Sequence, residues 1–288
     1  FHAKLARAGG MRKEPLFRTD VFLIQEYRPF FVRKLLGERD FLEDGKIVRE
    51  KDLRGRRSIV VDGVEMNLLL KNYSILDHFL FYKLKLRPVA YPFFLRRMAS
   101  RLKGYDIVSG HSFAGAFMAR VAGKRFAVPY TASWHGSDLH SHPFRYHCIF
   151  GITGTLIKEA ACNFFVSRNL LEVSEGIAPG KKVVIYNGAS EIFRELPRDE
   201  RASLKRKYGV EGRRVVSFVG GLVSVKNVLL LPEIFRKIQE GLMEKPVFWI
   251  VGDGKLRKPL EALLQREESL QWRMWGDVPV ADMPGIYN

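Results

Sequence analysis

Along most of this 288-residue chain, short apolar runs alternate with amphipathic ones, and no other feature constrains the fold as much. From about residue 58, SIVVDGVEMNLLL has the pattern of two strands around a D-G turn. YDIVSGH, FAVPYTASWHG, ACNFFVS and KKVVIYNGA follow as short strands. The stretches SFAGAFMARVAGKR, TGTLIKEA and SRNLLEVSEGI between them have helical spacing, as do HFLFYKLKL and YPFFLRRMASRLKG upstream, which prolines split. The pattern then restarts. RASLKRKYGV, NVLLLPEIFRKIQEG and KLRKPLEALLQREE are expected as helices, and RRVVSFVGG, KPVFWIVGDG and LQWRMWGDV as strands. Strands joined through helices of this length make right-handed crossovers and hence parallel sheets. The expected class is α/β, with two Rossmann-like domains over residues 1–189 and 190–288. The polar, proline-containing ASEIFRELPRDE lies at the join. Residues 15–55 show no legible pattern.

No apolar run reaches the roughly 18 residues that a membrane-spanning helix needs, so none is expected. The first residues, FHAKLARAGG, lack the apolar core of a signal peptide and an initiator Met, and the last, DMPGIYN, stop where a helix is under way. A fragment cut at both ends is expected. Cys148 and Cys162 lie in apolar contexts without metal-ligand spacing, which suits two reduced thiols in a cytoplasmic protein and predicts no metal.

The net charge of +17 is uneven: residues 1–110 carry 23 Lys/Arg against 13 Asp/Glu. Such an excess points to anionic partners, namely phospholipid, phosphorylated substrate or nucleic acid. In residues 78–104 the aromatics Phe79, Phe81, Tyr82, Phe93 and Phe94 interleave with cations that include Arg96, Arg97 and Arg101. One reading is an interfacial surface on an anionic membrane; the other is a core flanked by a solvated basic face. Nucleic acid is disfavoured, because no recognised module is present and the excess charge is not at the corners that would face a cleft.

In an open parallel sheet, ligands bind beyond the carboxyl ends of the strands. Four corners there carry unusual residues: SGHS at 109–112, WHGSD at 134–138, GGLVSVKN at 220–227 and GDGK at 252–255. In GGLVSVKN the glycines admit a close ligand, a following helix start offers N–H groups, and Lys226 adds a full charge, a combination suited to a diphosphate. The bland alternative is a glycine turn with a solvated lysine. The stretch matches neither GxGxxG nor GxxxxGK[ST]. His135 and Asp138 flank a glycine at the end of an apolar strand, where a cleft-facing histidine can donate, accept or act as a base. A histidine satisfied by its own loop is the alternative there, and for His111 as well.

Seven stretches in register, YDIVSGHS, PYTASWHGSD, VSRN, VVIYNGASEIF, FVGGLVSVKN, WIVGDGKLRKPLE and WGDVPVADMPGIY, together resemble the pattern of glycosyltransferase family 4 over roughly residues 100–288. The resemblance implies the GT-B fold, two Rossmann-like domains facing a cleft, with the C-terminal one incomplete here. It implies retaining, metal-independent transfer of a sugar from a nucleotide-sugar donor, bound by the C-terminal domain, to a glycan or lipid-linked acceptor, bound by the N-terminal domain. No cofactor is implied, since the nucleotide sugar is a substrate. Cell-surface polysaccharide synthesis at the inner face of the cell membrane is the implied setting.

By the same resemblance Gly220, Gly221 and Lys226 hold the donor diphosphate, and His135 faces the transferred sugar. His111 and Asp138 line the acceptor side, Asn187 and Gly188 join the domains, and Gly276 and Val278 pass near the nucleobase. The family's arginine after the first glycine is replaced by Gly221, and its paired glutamates are expected just beyond Asn288, so the chain as it stands is expected to be inactive. A nucleotide-sugar epimerase of related fold and a non-catalytic, membrane-associated binding partner are the alternatives.

Overall fold

The computed structural model describes residues 18–27, 33–34, 40–43, 46–61, 63–72, 79, 94–136, 139 and 151–288. The chain divides into two compact units, Phe1–Gly188 and Ala189–Asn288. Each contains a parallel sheet with crossover helices, and the first also has antiparallel pairs.

In the first unit, β1 (Val21–Tyr27) pairs in parallel with β5 (Val64–Asn72), and β4 (Ser58–Val61) pairs antiparallel with β5. A separate hairpin joins β2 (Asp40–Glu43) and β3 (Lys46–Arg49). Three strands therefore lie within residues 15–55, where no structure was legible. VFLIQEY, which opens on four apolar residues, forms β1, but it stands far from its partner in sequence, so its pairing is set by tertiary contacts.

The second sheet of this unit is fully parallel, in the order β6 (Val108–His111), β7 (Tyr130–Trp134), β8 (Cys162–Phe165) and β9 (Lys182–Val184). Its crossovers contain α1 (Ser112–Phe126), α2 (Ile152–Glu159) and α3 (Arg168–Glu175). All five residues of β7 are buried. A strand covered on both faces carries few charged or large polar groups, and YTASW has only two small hydroxyls among its five residues. Its two polar side chains, Thr131 and Ser133, are among the few buried polar groups. Cys162 is a half-buried free thiol, whereas Cys148 lies outside the described residues.

Residues 94–98 are helical and tighten into a 3-10 turn at Ala99–Leu102. Leu95, Ala99 and Leu102 are buried in the core and Phe94 packs against it, while Arg96, Arg97 and Arg101 are exposed. Phe94 thus belongs to the core. Phe79 is exposed, and Phe81, Tyr82 and Phe93 lie outside the described residues.

The second unit begins with α4 (Arg198–Lys207) and has one parallel sheet, β10 (Val215–Val219), β11 (Val247–Val251) and β12 (Gln271–Gly276), in that order. The helices α5 (Leu231–Glu240) and α6 (Arg257–Leu264) pack Phe235, Leu260 and Leu264 with Phe248 and Ile250 of β11. Trp249 and Val251, which alternate with those residues, pack with Val210 and with Met283 and Ile286 of α7 (Met283–Tyr287). The period of two along β11 explains this division between the faces.

The helix expected from Asn227 starts later, at Leu231. Two one-turn 3-10 segments, Ser224–Lys226 and Val228–Leu230, precede it. Asn227 between them has φ 49°, a left-handed conformation that cannot continue a right-handed helix and that asparagine tolerates. Pro232 falls in the first turn of α5, where its missing N–H is no loss.

Candidate active site

The corners singled out in the sequence all lie at carboxyl ends of parallel strands. Each unit carries its own set.

In the first unit His111 is the last residue of β6, and His135 directly follows β7. The register that pairs His111 with Ser133 sets the two strand ends side by side. Nδ1 of His111 lies 3.0 Å from Nε2 of His135, with ring planes 25° apart and centroids 5.3 Å apart. Ser112, the first residue of α1, has φ 59°, a left-handed backbone at the strand-to-helix turn beside His111. A non-glycine residue held there costs about 1–3 kcal/mol and persists only where its surroundings fix it. Those surroundings include Gly110 packed on Gly115 of α1: a Cβ on Gly110 would overlap the Gly115 carbonyl.

Behind His135, the fully buried Trp134 donates its indole N–H to Oδ1 of Asn163 at 3.0 Å. Asn163 in turn donates to the carbonyls of Ile157 at 2.9 Å and Lys181 at 3.2 Å. This polar anchor holds the end of β7. Its only sequence signal is an asparagine inside an apolar strand, a position where buried polarity demands partners. Asp138 lies outside the described residues. Asn187 and Gly188 are exposed at the end of the first unit.

In the second unit backbone hydrogen bonds knit the strand ends together. Gly220 donates to Val251, Gly252 to Gly276, Leu222 to Asp253, and Leu256 to Leu222. Gly252 has φ 125°, and a Cβ there would overlap the Gly220 carbonyl, so only glycine allows the β10 and β11 ends to approach this closely. Gly221 is exposed, and Lys226 is exposed in the first 3-10 turn with no ion pair among the described residues.

Asp253 accepts from the Gly254 N–H at 2.6 Å and from the Arg257 guanidinium at 2.7 Å. These bonds, the backbone one first, hold its carboxyl below the usual range. The GDGK corner therefore contains a neutralised Asp–Arg pair and a separate Lys255, an i,i+4 relation visible only once α6 is placed. Gly276 is buried at the end of β12, beside the corner of Gly252. The Val278 side chain is half-buried against the cluster of Trp249 and Met283. Among the described residues no group of three or more His, Cys, Asp or Glu side chains could hold a metal ion. No helix there is long and apolar enough to cross a membrane.

Residues 59–191 match the family model described as Glycosyltransferase Family 4, and that stretch runs from β4 through β9, with His111 and His135 inside it. TuaC of Bacillus subtilis (strain 168), assigned as a glycosyltransferase of teichuronic acid biosynthesis, is similar at 24% identity over 168 residues, 58% of this chain and 42% of its own.

Among solved structures, Anabaena Alr3699/HepE in complex with UDP and glucose is similar with a TM-score of 0.56 and 15% identity, covering 78% of this chain and 58% of that one. The UDP-forming α,α-trehalose-phosphate synthase of Burkholderia xenovorans gives 0.50 and 11%, covering 80% and 66%. The fold is accordingly GT-B, with two Rossmann-like domains. The chain spans less than half the length of TuaC and under three fifths of the HepE chain bound to UDP and glucose.

Proposed function

We propose that this chain is part of a retaining, metal-independent glycosyltransferase. It moves a sugar from a nucleotide-sugar donor to a glycan or lipid-linked acceptor of the cell surface, in the cytoplasm and against the inner face of the membrane. The observation that carries the reading is the glycine-lined end of β10, β11 and β12 with an uncommitted Lys226 ammonium at its rim. The HepE structures, of the same fold, contain UDP and UDP-glucose.

When the bond from the sugar's anomeric carbon to the diphosphate breaks, negative charge develops on the departing nucleoside diphosphate. A preplaced cation stabilises that charge without reorganising at the moment of reaction. Lys226 is assigned this role, with Gly220 and Gly221 giving the phosphates room. The corner at Gly276 and Val278 is assigned to the nucleobase side. His135 is assigned to the transferred sugar, with His111 and Asp138 toward the acceptor and Asn187 and Gly188 between the domains. The exposed Arg96, Arg97 and Arg101 are assigned to anionic lipid.

Calorimetric titration with UDP-glucose tests the donor assignment. Wild-type chain is expected to bind, and Lys226→Ala to bind about 10- to 100-fold more weakly, the loss of one charge-assisted contact. Equal affinity of the two would remove Lys226 from the site. Transfer of labelled sugar to acceptor by the complete protein, rather than epimerisation of the donor, separates the transferase from an epimerase.

A further inference from the structure

At the carboxyl ends of β11 and β12 a guanidinium stands where a side chain is missing. Gly276, the last residue of β12, has φ 69°, and a Cβ there would lie 3.3 Å from Nη1 of Arg257. The Arg257 head group therefore borders the space that a side chain at 276 would take. Arg257 reaches this place from the first turn of α6, and Asp253 of the GDGK corner holds it, with Nη1 2.7 Å from Oδ2. The Gly252 N–H donates to the Gly276 carbonyl at 2.8 Å, so the strand ends that carry Asp253 and Gly276 are joined directly.

We propose that Arg257 is a specificity-determining residue that reads the donor's nucleobase, donating hydrogen bonds to a base with ring carbonyl oxygens, as uracil has. This rests on the transferase reading above, which assigns the corner of Gly276 and Val278 to the nucleobase side.

The chemistry of the pair selects the ligand group. Both carboxylate oxygens of Asp253 are engaged, Oδ1 by the Gly254 N–H at 2.6 Å and Oδ2 by Arg257. A guanidinium has five N–H donors in a planar fork and no acceptor. Among the described residues Asp253 is its one hydrogen-bond partner, and the Arg257 side chain is 39% exposed, so donors remain open at the rim. Asp253 offsets the charge of Arg257, whereas Lys226 has no ion pair among the described residues. The full positive charge is thus left for the diphosphate, and the paired guanidinium suits an uncharged acceptor. Uracil offers two carbonyl oxygens. Adenine has no carbonyl and carries an amino group, itself a donor. The corner therefore prefers uracil to adenine.

The test is calorimetric titration of the 288-residue chain with UDP and with ADP, which share the ribose and the diphosphate. Wild type is expected to bind UDP about 10-fold more tightly than ADP, about what one hydrogen bond from a charged group contributes. In Arg257→Met, which removes the donors and keeps a long side chain, UDP affinity is expected to fall to that of ADP, and ADP affinity to hold. Arg257→Lys keeps a cation for Asp253 but not the fork, and the same loss of preference is expected. Lys226→Ala should weaken both nucleotides alike and keep their ratio. An unchanged ratio in Arg257→Met, or a preference restored in Arg257→Lys, would make the pair a structural clip and overturn the proposal. So would a wild type that binds the two nucleotides equally. A wild type that binds neither refutes the donor assignment itself and takes this proposal with it.

Discussion

Asn163→Ala is expected to destabilise the first unit by about 2–6 kcal/mol, and the figure can be built from its three hydrogen bonds. The substitution leaves the Trp134 indole N–H buried without a partner, a cost of about 1–3 kcal/mol. It also removes two donors from the carbonyls of Ile157 and Lys181, each worth about 0.5–1.5 kcal/mol. Of the chain's four tryptophans, Trp134 alone lies in Phe1–Gly188. With 5-fluorotryptophan incorporated, its ¹⁹F resonance reports urea unfolding of that unit separately from the other. For a urea slope of about 1–3 kcal/mol per molar, a loss of about 3 kcal/mol lowers the midpoint by about 1–3 M. Hydrogen exchange in β7 and β8 should show the cost shrinking in a Trp134→Phe background, where no indole is left stranded. A midpoint change worth less than about 1 kcal/mol would refute the idea that this anchor holds the end of β7.

Three further outcomes are expected. Gly252→Ala should destabilise the second unit and abolish UDP-glucose binding, because the added methyl has no space beside the Gly220 carbonyl; unchanged melting and affinity would contradict the close packing of the strand ends. Glu159 is held at a pKa of about 2, below its ordinary 4.5, by its hydrogen bonds to Arg120 and then Lys124. With a depressed folded-state pKa, its stabilisation is fully present above about pH 4.5 and is lost as the pH falls toward about 2. Because the carboxylate is a third exposed, screening keeps this below about 1 kcal/mol. Glu159→Gln should flatten that part of the acid profile, and an unchanged slope in a urea titration across this range would count against the assignment. Replacing Arg96, Arg97 and Arg101 by glutamine should weaken salt-sensitive sedimentation with anionic vesicles; equal binding to neutral vesicles would defeat the lipid assignment.

The two parallel sheets were legible because their strands are short apolar runs closed by Gly, Ser or Asn, and each crossover helix is amphipathic. That pattern survives without knowledge of tertiary contacts. The start of α5 was not legible in the same way. NVLLLPEIFRKIQEG has helical spacing throughout, yet the left-handed Asn227 and the 3-10 turns move the helix to Leu231, a backbone choice that apolar periodicity does not record. The strand β1 pairs with a partner some 45 residues away, and its hairpin neighbours are only four residues each, so local pattern alone could not assign them.

At the candidate site, single residues could be picked out as polar groups at strand ends. Their partners could not. The facing of His111 and His135 depends on the β6–β7 register, and the Asp253–Arg257 pair depends on where α6 begins. Phe94 shows the converse: it stood among the aromatics that interleave with cations, and its i,i+4 spacing with Met98 carries it to the core side.

The central claim is that a donor diphosphate settles at the glycine-lined end of β10, beside Lys226. Titrating UDP into ¹⁵N-labelled chain tests it most directly. The account predicts saturable shifts at the amides of Gly220, Gly221, Lys226 and Gly252, absent with uridine alone. Saturable shifts confined to other residues, with those four amides unmoved, would contradict it.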